Sequence, residues 1–292
     1  MNLENLILNQ VSIKKNEKFV AIIGASPSKG ARSPKLWNRV YKNIGKKIKM
    51  YPFDVEEKKL KKLIFYLSLN KNFLGGAITN PFKEKVFKLL KSNIDTSSRP
   101  IGAINCLYRK KQKIYGINTD RNGALYSLKK LGKLENKKYM IIGTGGTALT
   151  LVSLLKKYVS KPNDILVIGR NRYKLNVFKK KFRCSCKNLT KLNSLKLDID
   201  FIINCTDLGS ITKRNYSILP QSFFNRLNKN TKIFDVIYNP KQTLFLKYAK
   251  RSNLKFENGL NMNLHQAVNA FVYTNHIKIK SYKKIEKIMS KK

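Results

Sequence analysis

The residues with the clearest chemistry stand mid-chain, where Gly143-Thr144-Gly145-Gly146-Thr147-Ala148 follows the apolar run YMII at 139–142. A helical pattern then continues through 158, which makes the glycine segment a G-x-G-x-x-A turn between strand and helix. Gly143 allows the tight turn, and Gly145 lets backbone amides approach a pyrophosphate. Gly146, which completes the turn, and Thr147 lead into the helix, whose N-terminus favours an anion, and Ala148 permits close helix–strand packing. The next predicted strand, 164–168, decides the nucleotide. An NAD site expects an acid about 20 residues on, accepting from the ribose 2′-hydroxyl. Here the strand runs into Gly169-Arg170-Asn171-Arg172, with Lys174 close behind and no acid. Arg170, with Asn171 and Lys174 beside it, suits a 2′-phosphate, so NADP(H) is the expected cofactor. Other chemistries lack their parts. Cys184-Ser185-Cys186 has no companion ligands for a metal, His265 and His276 being the chain's two histidines, and reads as ordinary strand or loop. Neither histidine accompanies a Ser or Cys nucleophile motif.

These residues need elements to position them. In the first part of the chain, apolar runs predict strands at 19–24, 48–55 and 73–79. Helices are predicted at 34–44, at 56–69 with Leu60, Leu63, Ile64 and Leu67 on one face, and at 82–90 with Pro81 at the first helical position. That β-α-β-α-β-α alternation is the signature of a parallel sheet. Segments 103–108 and 113–117 read as a hairpin, and helix 122–131 leaves the first domain. A second series follows, with strands at 139–142, 164–168, 200–204 and 232–236 and a helix at 173–182. A last helical segment, 263–289, is expected to pack back on the first domain. The expected fold class is α/β, with two domains and a cleft between them. The first is residues 1–121, with 260–292 returning to it and a mainly parallel sheet; the second, 122–259, is a Rossmann-type nucleotide domain.

Composition bounds the function. The 292 residues include 61 Lys+Arg against 16 Asp+Glu, a formal charge of +45, yet 42% are hydrophobic, enough for a sizeable core. A disordered polycation is excluded. The basic residues are 50 Lys and 11 Arg, spread along the chain, whereas nucleic-acid recognition favours Arg and a concentrated patch. No specific nucleic-acid partner is expected, although loose polyanion affinity is. No stretch approaches the roughly 20 apolar residues of a membrane span, and the N-terminus offers no signal-peptide core. Cys106, Cys184, Cys186 and Cys205 form no disulfide framework. The expectation is a cytoplasmic protein, monomer or homodimer, acting on a small molecule.

Seven segments, in order, resemble the shikimate dehydrogenase family. GASPSKGARSPKLWN (24–38) resembles G-x-P-x-x-H-S-x-S-P-x-x-H-N with one extra residue, and GGAITNPFKE (75–84) resembles G-x-N-V-T-x-P-x-K-E. GAINC (102–106) resembles G-A-V-N-T, and Asn118-Thr119-Asp120 is the family's N-T-D. Asn204-Cys205-Thr206 resembles N-A-T, DVIYNP (235–240) resembles D-x-x-Y-x-P, and GLNMNLHQA (259–267) resembles G-x-x-M-L-x-x-Q-A. The resemblance spans about residues 20 to 275. It implies reversible reduction of 3-dehydroshikimate to shikimate by NADPH, in the pathway to chorismate and the aromatic amino acids. It implies Lys83 and Asp120 as the catalytic pair. Hydride arriving at a carbonyl carbon builds negative charge on oxygen, which needs a proton donor or a fixed cation. It also implies a substrate pocket holding Ser33, Thr79, Lys83, Asn105, Asp120, Tyr238 and Gln266. Thr206, Gly259 and Met262 are implied at the cofactor, the last two near the nicotinamide.

The chain departs from the pattern in places. Ala31 stands where the family's first Ser contacts a carboxylate, with Ser28 or Arg32 as candidates to compensate. Ala77 replaces the Asn of N-V-T, Arg121 follows N-T-D, and Gly169 replaces the Asn of N-R-T. A quinate or related hydroxy-acid dehydrogenase is therefore the alternative within the family, and a repurposed basic polyanion-binding protein the alternative outside it.

Overall fold

The computed structural model describes residues 2–194 and 198–291, so Met1 and Lys292, the outermost residues of the expected first domain, lie outside it. The chain divides into two compact units, Met1–Thr119 with Leu264–Lys292, and Asp120–Asn263.

In the first unit, β1 (Phe19–Gly24), β2 (Lys49–Asp54) and β3 (Phe73–Ile78) form a parallel core in the order β2-β1-β3. The antiparallel pair β4 (Cys106–Lys110) and β5 (Lys113–Ile117) extends it beyond β3. Both faces of β1 are covered, which is why FVAIIG reads as a continuous apolar run. Val20 and Ile22 pack on the side of α1 (Ser33–Asn43), where Leu36, Trp37 and Val40 meet Val268, Phe271, Ile285 and Ile288. Phe19, Ala21 and Ile23 face the opposite way, toward α2 (Leu60–Leu69) and α3 (Lys83–Leu90), through Leu63, Leu67 and Val86.

Pro81 does not open α3. It stands in a turn, in cis linkage to Asn80, which Phe82 N closes by donating to Thr79 O at 3.0 Å; the helix begins two residues later.

The second unit opens with α4 (Asp120–Leu131) and holds a six-stranded, all-parallel sheet. Its strands are β6 (Tyr139–Ile142), β7 (Ile165–Gly169), β8 (Ser185–Asn188), β9 (Phe201–Asn204), β10 (Lys232–Asp235) and β11 (Lys255–Glu257), in the order β11-β10-β9-β6-β7-β8. This is a doubly wound, Rossmann-type sheet. Its helices are α5 (Gly146–Leu155), α6 (Arg172–Phe182), α7 (Gln221–Asn225) and α8 (Leu244–Arg251). The expected helix through 158 stops at Leu155 because the following turn is closed by Tyr158 N donating to Leu155 O at 2.8 Å.

The last segment is also two helices rather than one, α9 (Leu260–Thr274) and α10 (Tyr282–Ser290). Between them His276 takes a left-handed backbone (φ 51°), and Ile277 N closes the turn onto Val272 O. α10 and α9 from Leu264 onward belong to the first unit. Among the described residues no helix is long and apolar enough to cross a membrane.

Candidate active site

In open α/β sheets ligands bind beyond the carboxyl ends of the strands, where the strand order reverses. In the first unit that point lies between β1 and β3. Thr79, just past β3, donates its amide to Ile23 O at 2.9 Å, and Asn80 O accepts from Ala25 N at 3.1 Å. The β3–α3 turn is therefore fixed to the end of β1. Lys83 is the first residue of α3, half-buried, and its carbonyl accepts from Ile104 N at 3.0 Å. The next residue, Asn105, is buried and is held by Ile78 N, which donates to its carbonyl at 2.8 Å.

Asn105 is the centre of a polar cluster. Its Nδ2 donates to Gln266 Oε1 at 3.0 Å and to Thr119 Oγ1 at 3.0 Å, while its Oδ1 accepts from Thr119 N at 2.6 Å. Thr119 Oγ1 in turn donates to Gln266 O at 3.0 Å. Three separate segments, the loop before β4, the Asn118–Asp120 motif and α9, thus meet through side-chain amides. Asn118 is fixed as well, its Nδ2 donating to Ala103 O at 2.9 Å. The role of Thr119 in joining Asn105 to Gln266 is absent from the sequence reading; its place inside the N-T-D motif was the available signal. Beside Gln266, His265 Nδ1 lies 2.7 Å from Tyr282 Oη, which anchors this part of α9 to α10.

Ser33 is buried at the first position of α1, with Arg32 as its N-cap residue. Ser28, one candidate to replace the missing Ser at 31, is committed elsewhere. Its amide donates to Asp54 Oδ1 at 2.9 Å and its hydroxyl donates to Asp54 Oδ2. Asp54, which the sequence reading overlooked, thus holds the loop between β1 and α1.

The remaining expected positions fall in the second unit. Asp120 is buried at the first turn of α4, and Tyr238 is half-buried in the loop after β10. The strand order reverses between β6 and β9, and the glycine turn follows β6. Gly143 has φ +115°, and a Cβ there would stand 3.1 Å from the Cys205 backbone, so glycine alone fits between the two strand ends. A Cβ on Gly145 would meet nothing within 4 Å, and this residue caps α5 without any side-chain hydrogen bond. Gly146, Thr147 and Ala148 form the first turn of α5. Together they leave a backbone cradle at a helix N-terminus suited to a pyrophosphate.

At the end of β7, a Cβ on Gly169 would lie 2.6 Å from Thr144 Cγ2, so a side chain there requires Thr144 to shift. Arg170 is exposed directly beyond, and its carbonyl accepts from Asn188 Nδ2 at 3.3 Å. Asn171 caps α6 through Oδ1, which accepts from Lys174 N at 2.9 Å. The cradle and the basic run beside it fit a dinucleotide bearing an extra phosphate.

Thr206 donates its hydroxyl to Asn204 Oδ1 at 2.7 Å, and Asn204 Nδ2 donates to Asp235 Oδ1 at 3.1 Å. Gly259 is explained by packing, since a Cβ would stand 2.0 Å from Val236 O; Met262 is buried on the first turn of α9.

Residues 22–107 match the shikimate dehydrogenase substrate binding domain, and residues 126–239 match shikimate/quinate 5-dehydrogenase. A shikimate dehydrogenase (NADP(+)) of Methanococcus maripaludis is 32% identical over 285 residues, covering 96% of this chain and 99% of its own. Among solved structures, the chorismate mutase/shikimate 5-dehydrogenase fusion protein of Clostridium acetobutylicum is 30% identical with a TM-score of 0.80, covering 94% of this chain and 98% of its own. A shikimate dehydrogenase solved in complex with NADP+ is 27% identical with a TM-score of 0.78, covering 96% and 98%. The chain therefore belongs to the shikimate dehydrogenase family.

Proposed function

We infer that this chain is an NADP-dependent shikimate dehydrogenase, interconverting 3-dehydroshikimate and shikimate on the route to chorismate and the aromatic amino acids. The observation that carries the reading is the cluster of Asn105, Thr119 and Gln266, built beside the Thr79 turn and the start of α3 at Lys83. A polyol carboxylate needs hydroxyl and amide groups held in fixed directions, and these side chains are held by one another. Ser33 and Tyr238 add hydroxyls to the proposed substrate set. The relatives named for shikimate and NADP(+) favour these over quinate and NAD, and a folded site of this kind speaks against a mere polyanion binder.

When bound, NADPH supplies the hydride that reduces the ketone. The residues that would hold it are Gly143, Gly145, Gly146, Thr147 and Ala148 at the pyrophosphate, and Arg170, Asn171 and Lys174 at the 2′-phosphate. Thr206, Gly259 and Met262 would border it toward the nicotinamide. Lys83 supplies positive charge or a proton to the carbonyl oxygen as charge builds there. Asp120, at the first turn of α4, is the partner that the family resemblance implies for Lys83 in this step. In the oxidative direction the same pair accepts the hydroxyl proton.

The enzyme acts on small molecules in the cytoplasm as a monomer or homodimer. Purified protein is tested with shikimate or quinate against NADP+ or NAD+, following absorbance of the reduced nicotinamide. Turnover is expected to be highest with shikimate and NADP+. Absence of turnover with every pair would sink the assignment, and a preference for quinate would correct the substrate.

A further inference from the structure

At the edge of the second unit's sheet, Cys184 just before β8 and Cys186 within it carry two thiols that the proposed reaction does not use. Cys184 is buried and follows Arg183, whose left-handed backbone (φ 57°) ends α6. Cys186 is half-buried inside β8. Their Sγ atoms lie 4.0 Å apart. Both line a surface depression of about 440 Å³ whose other walls include Lys179, Arg183 and Lys187. Contact between the two sulfurs, with Lys179 nearby, holds the Cys186 thiol below its ordinary range, while the same contact and burial push the Cys184 thiol up. Cys186, the more exposed of the two, is the sulfur that a disulfide entering the depression meets first, and Cys184 lies buried behind it within 4.0 Å to resolve the adduct.

We propose that Cys184 and Cys186 form a redox-active dithiol that reacts with anionic low-molecular-weight disulfides of the glutathione class, Cys186 attacking and Cys184 resolving. The Cys186 thiolate attacks one sulfur of the incoming disulfide. A protein mixed disulfide forms, the original S–S bond breaks, and the departing thiolate takes a proton from water. Cys184 then gives its proton to solvent and attacks Cys186 Sγ, releasing the second small thiol. The protein dithiol loses two electrons and two protons, and the small disulfide becomes two thiols.

Lys179, Arg183 and Lys187 place cationic charge around the depression, where the carboxylates of such a disulfide would sit. Closing the bond brings the sulfurs to about 2.05 Å. β8 allows that shift because, among the described residues, it is an edge strand paired with β7 alone, and it is entered through a left-handed residue.

The reduced full chain is incubated with oxidised glutathione, neutral 2-hydroxyethyl disulfide or cationic cystamine, and followed by mass spectrometry with peptide mapping. The expected course with oxidised glutathione is an adduct on Cys186, then its replacement by a Cys184–Cys186 disulfide. Cys184→Ser should stop at the adduct, and Cys186→Ser should leave Cys184 unmodified. Oxidised glutathione should react about 10-fold faster than cystamine, a ratio that Lys179→Ala with Lys187→Ala removes. The proposal is overturned if Cys106 or Cys205 reacts before Cys186, if the wild-type adduct persists unresolved, or if the rate ignores the charge of the disulfide. The mapping on the wild-type chain decides this without relying on any variant.

Discussion

Lys83 heads a helix whose start is fixed by Ile104 N to the loop bearing Asn105, so its stem leaves from a backbone that cannot drift. That argues for a group whose position matters. Lys83→Ala should lower kcat by about 10²-fold or more, the ordinary worth of general acid–base help, while NADP+ binding is retained. Steady-state kinetics beside a fluorescence titration of the cofactor check this, and unchanged turnover would remove Lys83 from the chemistry. Arg170 makes a separate case. It stands exposed past β7, where Gly169 is packed on Thr144 and leaves no side chain of its own in the way. A charge-assisted pair with a 2′-phosphate is worth roughly 1.5–3 kcal/mol, so Arg170→Ala should weaken NADP+ by about 10-fold or more and leave NAD+ nearly untouched. Equal losses for the two nucleotides would exclude a 2′-phosphate contact.

At the scale of elements, the site is assembled where parallel strands end, and β10 shows how. Asp235 is buried and accepts from Asn204 Nδ2 at 3.1 Å, Ile237 N at 3.1 Å and Thr243 Oγ1 at 2.5 Å, tying the end of β9, the following loop and the cap of α8 together. Burial nonetheless pushes its carboxyl from the ordinary 3.8 up to about 7. A folded-state value above the unfolded one favours the protonated form. Its stabilisation is therefore fully present below about pH 4 and is lost as pH rises toward 7. At about 1.4 kcal/mol per pH unit the whole span amounts to about 4 kcal/mol. Urea unfolding of wild type and Asp235→Asn at pH 5 and pH 7.5 should show a steeper loss for wild type, and parallel curves would refute the linkage.

Much of this layer was legible in the sequence. FVAIIG and YMII are buried on both faces and look it, and the glycine turn announces itself between strand and helix. Of the edge strands, β11 (KFE) was missed and β8 (SCKN) was left between strand and loop, because their residues are polar and half-exposed. The Asp54–Ser28 bond and the Thr119–Gln266 bond were missed for a different reason. They join residues 26 and 147 positions apart, and no local pattern encodes such a pairing.

At the scale of the whole molecule the question is what a net charge of +45 does for an enzyme of this kind. Ion pairs such as Lys58–Glu56 at 2.8 Å and Lys213–Asp207 at 2.6 Å stand on exposed side chains and contribute little to stability. Unlike a local contact, such an excess acts as a field on every anion that approaches, and both expected substrates are anions. The field is screened over about 10 Å at 0.1 M salt, so its contribution must fall with ionic strength. NADP+ carries several negative charges and shikimate one, which separates this steering from a general salt effect on the fold. Raising monovalent salt from about 0.02 to about 0.3 M should lower kcat/KM for NADP+ by about 10-fold, with a shallower slope for shikimate and an intermediate one for NAD+. Identical slopes for all three would mean that the lysines set solubility and nothing in the encounter, and would leave Lys83 and the Arg170 cluster as the cations that matter.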